Sequence, residues 1–429
     1  MQKRLLSLVC LTLILMVALA PITAAAERTK IVFMFRGGKL QSELVNFWKE
    51  DFEQKNPDIE VEWREATGNW MDQIPVWVAT GVGPDVFETW GNAASSWGEN
   101  GVSLDLNPYV ARDFTAQEIN DFYPISWDAC ELTYGPKKGL RFGIPSYGNV
   151  FVLYYNADYF RQAGVQFPEV MDQQGDWNWD TFVTVAKKLT RSDGTKTIQW
   201  GLDDDSLYYP TGRGAGWVQA AGGQYFDLPD NPAKFVGDSE AVIAAFDYQQ
   251  DLIWTHGVLS PIDTRSQANF QRGNSAMNLW LGSVRLTDAQ TAHQFDWNIG
   301  PRPMGPAARG YYLASDMFSI NAYSEHKEEA WRFVKYLTST EGMIAAARIM
   351  GRGPVRQSAF RAYADLYPGR NTQYVVEGML TGVLSPATFM SKDADNLINK
   401  TVREEIAPNK KSARQALMEI ADALKALMQ

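Results

Sequence analysis

The sequence predicts an α/β protein of two lobes, each a mainly parallel sheet flanked by helices. Three observations predict it. The segment from Ile31 to Phe87 alternates strand and helix. The chain has 429 residues, and a single hydrophobic core usually splits beyond ~250–300 residues. No Pro- or Ser-rich linker, internal repeat or low-complexity stretch interrupts it, so two lobes have to share the chain by crossing between them more than once.

Taken in order, Ile31-Val-Phe-Met-Phe35 is an apolar strand and Gln41 to Gln54 carries a helical stripe of Leu44, Val45, Phe47, Trp48 and Phe52. Ile59-Glu-Val-Glu-Trp63 alternates like a strand with one wet face. An amphipathic helix from Met71 to Thr80 stops at Gly81 and leads through Gly83-Pro84-Asp85 into the strand Val86-Phe87. Strand, helix, strand, helix, strand implies parallel pairing with right-handed crossovers. Ligands of such sheets lie beyond the carboxyl ends of the strands, which makes the loops Arg36-Gly37-Gly38 and Glu88-Thr89-Trp90 the first site candidates.

Further on, two strands, Phe142 to Pro145 and Val150 to Tyr155, bracket a loop, Ser146 to Asn149. Asn156 to Gly164 is a short helix, and Asn178 is placed as N-cap of a helix running to Leu189. Asp203 to Gly237 shows little periodicity. Helices are expected at Ser239–His256 and Arg265–Arg272, and strands at Ala276–Trp280, Trp297–Ile299 and Met317–Ile320. The last part reads as helices at Glu325–Leu337, Glu341–Ile349, Tyr374–Gly382 and Ala413–Met428.

The first residues read as an address. Lys3 and Arg4 precede an apolar run from Leu5 to Ala20, and Ala24-Ala25-Ala26 supplies the small residues a signal peptidase needs, so 1–26 is taken as a cleaved signal peptide. The apolar run is shorter than the roughly 20 residues of a bilayer span. A lipid anchor on Cys10 is the weaker alternative, because bulky Val9 precedes it. Cleavage leaves Cys130 alone, so stability rests on packing and not on an internal disulfide. The formal net charge is −10, which disfavours nucleic acid and anionic lipid as partners. Fifteen Trp, many in Gly-rich or polar surroundings, offer flat apolar faces with one donor each.

Catalytic motifs are missing. There is no Gly-x-Ser-x-Gly elbow, His-Glu-x-x-His pair, phosphate-binding Gly loop or Cys-x-x-Cys, and the three His are scattered. Asp203-Asp204-Asp205 lacks calcium-loop spacing and reads as a solvated turn. Gly212-x-Gly214-x-Gly216 reads as backbone room for Trp217. No metal site and no cofactor are implied. A carboxylate pair for glycoside hydrolysis needs only spatial proximity, so a hydrolase or lyase is the alternative class, followed by an adhesive carbohydrate-binding module.

Ordered blocks carry a family resemblance. They are Gly81-Val-Gly-Pro-Asp85, Phe142-Gly-Ile-Pro145 with Leu153-Tyr-Tyr-Asn156, and Trp179-Asp180-x-Phe182. Phe270-x-x-Gly273-x-x-Ala276-Met277, Gly300-Pro-x-Pro303 and Ala330-Trp331-x-Phe333-Val334 follow. In this order they resemble the extracellular solute-binding proteins that serve carbohydrate uptake through ATP-driven importers, of the maltose-binding type. The resemblance implies a type II-like clamshell with residues 27–145 and 293–345 in an N-terminal lobe and 146–292 and 346–429 in a C-terminal one. It also implies a small-molecule carbohydrate ligand, importer permease subunits as membrane partners, a monomer, and a periplasmic or other extracytoplasmic location. Where many relatives carry a run of glycines, this chain has Tyr311-Tyr-Leu-Ala-Ser-Asp316.

A sugar ring is apolar across its face and polar around its edge, so the expected site mixes stacking and hydrogen bonding. Stacking falls to Trp70, Trp90, Trp217 and Trp280, with Tyr147 as a smaller platform. Hydrogen bonds fall to Arg36, the Gly37 and Gly38 amides, Asn92, Asn149, Asp316 and Arg352. Arg36, Arg213 and Arg352 keep an anionic ligand, a uronate or sugar phosphate, as the alternative within the same class.

Overall fold

The computed structural model describes residues 28–133, 135–227, 234–261, 263–264, 269–286, 294–385 and 392–427. The expected signal peptide, 1–26, lies outside them, as do positions 265–268 of the expected Arg265–Arg272 helix, which retains a 3₁₀ turn at Phe270–Arg272.

Thirteen strands can be numbered along the described chain: β1 Thr29–Arg36, β2 Ile59–Ala66, β3 Val86–Trp90, β4 Ile144–Phe151, β5 Leu153–Asn156, β6 Arg191–Ser192, β7 Thr197–Asp203, β8 Phe226–Asp227, β9 Lys234–Phe235, β10 Ser275–Asn278, β11 Trp297–Gly300, β12 Tyr312–Ile320 and β13 Gly353–Pro354. A six-stranded sheet runs β13-β4-β12-β3-β1-β2 and a five-stranded sheet β11-β5-β10-β7-β6, with β8-β9 as a separate ribbon. β1 pairs in parallel with both β2 and β3, as the strand–helix alternation predicts. β12 is antiparallel to both β3 and β4, so the first sheet is mixed.

The chain leaves the first sheet at Phe151 and enters the second at Leu153, with only the buried Val152 between. It returns between β11 and β12, and leaves again after the helix Gln373–Thr381 for the helices Lys392–Thr401 and Ala413–Leu427. Each sheet carries its own aromatic-rich core. Phe33, Phe35, Trp48, Phe318 and Phe333 interlock edge-to-face or stacked in the first, and Trp177, Phe182, Trp217 and Phe246 are buried in the second.

Local chemistry explains several elements. The helix Lys39–Lys55 buries Leu44, Val45, Trp48 and Phe52 on one face. Asn178 caps Trp179–Leu189 by accepting from the Asp180 and Thr181 amides, and Asn156 does the same for Ala157–Ala163. Asp85, at the end of the Gly-x-x-Pro-Asp turn, accepts from the Val32 amide at 2.7 Å and the Ser324 hydroxyl at 2.5 Å. One carboxylate thereby ties β1 to the chain leaving β12.

The expectation of mainly parallel sheets is corrected by the pairing: β12 with β3 and β4 and β13 with β4 in the first sheet, and β5 with β10 and β11 and β6 with β7 in the second, are antiparallel. Two further expectations need correction. Ser146 to Asn149 is not a gap between strands: Tyr147, Gly148 and Asn149 pair with Asp316, Ser315 and Ala314, and β4 runs unbroken from Ile144 to Phe151. Polar residues hid a strand whose pairing on both sides satisfies the backbone. Asp203-Asp204-Asp205 is not a solvated turn, for all three are buried. Asp203 accepts from the Phe270 amide and the Asn278 side chain. Asp204 accepts from Ser206 and the Trp217 indole, and Asp205 holds Arg213 through two bonds. Burial is tolerated because each carboxylate has dedicated donors.

Candidate functional site

The site grows from three neighbouring strands. Tyr147 on β4 lies opposite Asp316 on β12, and Asp316 lies opposite Trp90 on β3. The register of β12 shifts between Asp316 and Met317, a local irregularity of the kind that re-aims side chains. Arg36 closes the row from the carboxyl end of β1. Arg352 enters from the opposite edge, between Gly351, the left-handed cap of the helix Thr340–Met350, and β13, which pairs with β4 at Gly148 and Tyr147.

These side chains form one charged cluster. The Arg36 Nε donates to Glu88 Oε2 at 2.6 Å and its Nη2 to Asp316 Oδ2 at 3.0 Å, while the guanidinium lies 4.6 Å from the Trp90 ring centre. The Tyr147 hydroxyl donates to the other Glu88 oxygen, and the Arg352 guanidinium lies 5.0 Å from the Tyr147 ring centre. The Glu88 side chain is fully buried. Burial raises its pKa to about 7 against the pull of Arg36, and nearby Asp316 adds to the rise. Burial also raises Asp316, with Arg36 and Arg352 opposing. One guanidinium cannot fully compensate two desolvated carboxylates. Burial, then the neighbouring Arg36 charge, lower Arg352.

Beside the cluster opens a cavity of about 460 Å³, lined by Arg36, Leu40, Gln41, Trp90, Asn149, Val284, Arg285, Ala314, Asp316, Met350 and Arg352. Trp90, Ala314 and the chain at Leu384 and Ser385 line a smaller adjoining space. The cavity has an aromatic wall, several donors and one carboxylate. That composition can hold a small polar ligand with an apolar face.

The structure brings together Arg36, Trp90, Asn149, Asp316 and Arg352 at this cavity, with Tyr147 directly behind it. Trp70 is buried and meets Trp90 edge-on at 5.5 Å, so it buttresses the wall from the core side. Gly37 and Gly38 shape the turn into the helix Lys39–Lys55. A Cβ on Gly37 would fall 1.8 Å from Glu65 Oε1, and Gly38 has φ 129°, open to glycine and rarely to other residues. Asn92 stands in the first turn of the helix Gly91–Glu99, and its side chain lies outside the described residues. Trp217 is buried in the second core, beneath Arg302 and beside Trp179 and Tyr248. Trp280 is half-buried in a separate group with Phe151 and Tyr209 around Arg213, whose guanidinium is engaged by Asp205.

Sequence reasoning reached Glu88 only as part of a loop and missed its role; a lone carboxylate inside the apolar strand Val86-Phe87-Glu88-Thr89-Trp90 was the available signal. Leu40 and Gln41 follow directly on the Gly pair that was singled out. Val284 and Arg285 carried no signal. They are brought in by the side chain of Asn149, which accepts from the Val284 amide at 3.2 Å, and by Ser283, whose hydroxyl accepts from the Val150 amide. Among the described residues no group of three or more His, Cys, Asp or Glu is arranged to hold a metal ion, and no helix is long and apolar enough to cross a membrane.

Residues 37–344 match the family model described as bacterial extracellular solute-binding protein, and the chain belongs to that family. It is 25% identical over 315 residues to an uncharacterized lipoprotein of Streptomyces antibioticus, covering 71% of this chain and 64% of that protein. It is 22% identical over 309 residues to a maltotriose-binding protein of Pyrococcus abyssi, covering 69% of this chain and 59% of the other. The chain thus spans less than two thirds of the length of both curated relatives. Its fold is that of an ABC substrate-binding protein of Listeria monocytogenes in complex with cycloalternan. The TM-score is 0.75 at 21% identity, over 94% of this chain and 99% of the other. A cyclo/maltodextrin-binding protein complexed with maltotetraose superposes with a TM-score of 0.76 at 17% identity, over 95% and 99% of the two chains. The expected two-lobed α/β architecture is therefore present.

Proposed function

We propose that this chain is an extracytoplasmic substrate-binding protein that captures a sugar or oligosaccharide between two lobes and delivers it to an ABC-type importer. The observation that carries the reading is the convergence of Trp90, Arg36, Asn149, Asp316 and Arg352 on one cavity at the ends of β1 and β3. An indole face with donors and acceptors around it suits a ring that is apolar on its face and hydroxylated at its edge. The two sheets with their cores are read as the two lobes, joined by the crossings at Val152, between β11 and β12, and after Thr381. Similarity to a maltotriose-binding protein and to folds solved with bound oligosaccharides supports a carbohydrate ligand. The role is non-enzymatic, and export through the cleaved leader 1–26 puts the mature chain where an importer's permease subunits can receive the ligand.

Intrinsic tryptophan fluorescence of the chain from Glu27, titrated with mono- and oligosaccharides, tests the reading. A saturable change with a saccharide, and recovery of that saccharide intact after long incubation, is the expected result. Release of reducing ends from an oligosaccharide would replace the transport reading with a hydrolase.

A further inference from the structure

Three arginines stood out in the sequence as possible anion partners, and the structure treats them differently. Arg213 is spent on Asp205, which it contacts at 2.6 and 2.8 Å. Arg36 is spent twice, on Glu88 and on Asp316. Arg352 is not spent: among the described residues its guanidinium makes no hydrogen bond and no ion pair, and its one close partner is the face of Tyr147. Yet it is half-buried and forms part of the cavity wall.

Its position is fixed. The Arg352 amide bonds the Ala346 carbonyl, Gly351 before it caps a helix, and Gly353-Pro354 after it pairs with β4. Tyr147, under the guanidinium, is itself held by its hydroxyl on Glu88. A flexible surface arginine would swing to water, whereas this one is held over an aromatic face beside a ligand-sized space. The cavity wall also carries Arg36, whose guanidinium is already held by Glu88 and Asp316, so among these groups Arg352 is the cation left without a hydrogen bond.

We infer that the cavity selects a saccharide bearing an anionic group, a carboxylate or a phosphate, which the planar guanidinium of Arg352 receives while the ring lies against Trp90. The inference rests on the sugar-binding reading and narrows it. A guanidinium presents paired N–H donors that match two oxygens of a carboxylate or phosphate, and its half-buried position strengthens the pairing over one made in open water. A neutral saccharide would leave the guanidinium without a paired anion, its compensation limited to the more distant Asp316 and Glu88.

The test titrates the wild-type chain, Arg352→Gln and Arg352→Lys with glucuronate, galacturonate and glucose 6-phosphate, and with glucose, galactose and maltotriose as neutral counterparts. Circular dichroism and thermal melting verify that each variant folds. The expected result is that at least one anionic saccharide binds the wild type more tightly than its neutral counterpart. Arg352→Gln should weaken that binding about 10- to 100-fold, the usual worth of a charged hydrogen-bond pair. Arg352→Lys, which keeps the charge and loses the fork, should fall between, and added salt should weaken the wild type more than Arg352→Gln. Preference for the uronates identifies a carboxylate and preference for the phosphate ester a phosphate; either supports the inference. Tighter binding of a neutral saccharide, with Arg352→Gln costing neutral and anionic ligands alike, overturns it and leaves the sugar-binding reading standing. Failure of every saccharide to bind overturns both.

Discussion

A buried carboxylate, Glu88, and a half-buried one, Asp316, share the Arg36 guanidinium in this site, and the arrangement sets a pH dependence. Glu88 has its pKa raised to about 7 by burial, with Arg36 opposing and Asp316 reinforcing, and Asp316 is raised for the same first reason. An acid whose folded pKa lies above its unfolded value binds its proton more readily when folded. The stability this contributes is fully present below the unfolded carboxylate range and is lost as pH rises through about 7. Urea unfolding from pH 5 to pH 8 should therefore show a fall of roughly 1–3 kcal/mol attributable to Glu88, since one pKa unit is worth about 1.4 kcal/mol. Glu88→Gln should flatten that fall; an unchanged slope would show that Glu88 does not titrate there. The two adjacent tryptophans should separate function from stability. Trp90→Ala, at a half-exposed wall, is expected to weaken saccharide binding by about tenfold or more with little change in melting. Trp70→Ala, in the core behind it, should cost about 3–5 kcal/mol of stability. A large melting change with unaltered affinity in Trp90→Ala would make Trp90 a packing residue.

At the scale of the element, what was legible in the sequence was what local chemistry controls. Apolar periodicity located the helix Lys39–Lys55 and the strands β1, β2 and β3, and the Asn178 cap was readable from its own side chain. The strand at Tyr147 to Asn149 was not legible, because its ladder depends on β12 and β13, far along the chain. Trp217 misled as a stacking residue, for it is buried, whereas the glycines beside it act as the backbone room they suggested and let two backbones approach. A Cβ on Gly216 would fall 2.3 Å from the Gly310 carbonyl, and one on Gly310, at φ 68°, would fall 1.9 Å from the Gly216 carbonyl. The short helix Gly214–Ala220 thus seats against the chain entering β12 and carries Trp217 into the core. Gly216→Ala should cost about 1–3 kcal/mol, as overpacking usually does. Asn178→Ala, which leaves only two amides uncapped, should cost about 1 kcal/mol. Thermal melting of both variants checks the order, and a neutral Gly216→Ala would mean that the close approach of the two backbones is not needed.

Over the whole molecule, the family and the two-lobed architecture could be read from ordered blocks, whereas the make-up of the site could be read only in part: Arg36, Trp90, Asn149, Asp316 and Arg352 were legible, and Leu40, Gln41, Val284 and Arg285 were not. Its residues come from β1, β3, β4, β12, the turn before β13 and the segment around Ser283, and only folding sets them side by side. One of the crossings that join the sheets is a single residue, Val152, which suits rotation of one sheet on the other about a few backbone positions there. On the function proposed above, closure would bury the ligand against both lobes and create a composite surface for a permease to recognise. The most direct test of capture between lobes is small-angle X-ray scattering of the mature chain, free and saturated with the saccharide found by titration. Closure on the ligand predicts a smaller radius of gyration and maximum dimension in the bound state; saturable binding with an unchanged scattering profile would contradict capture between lobes.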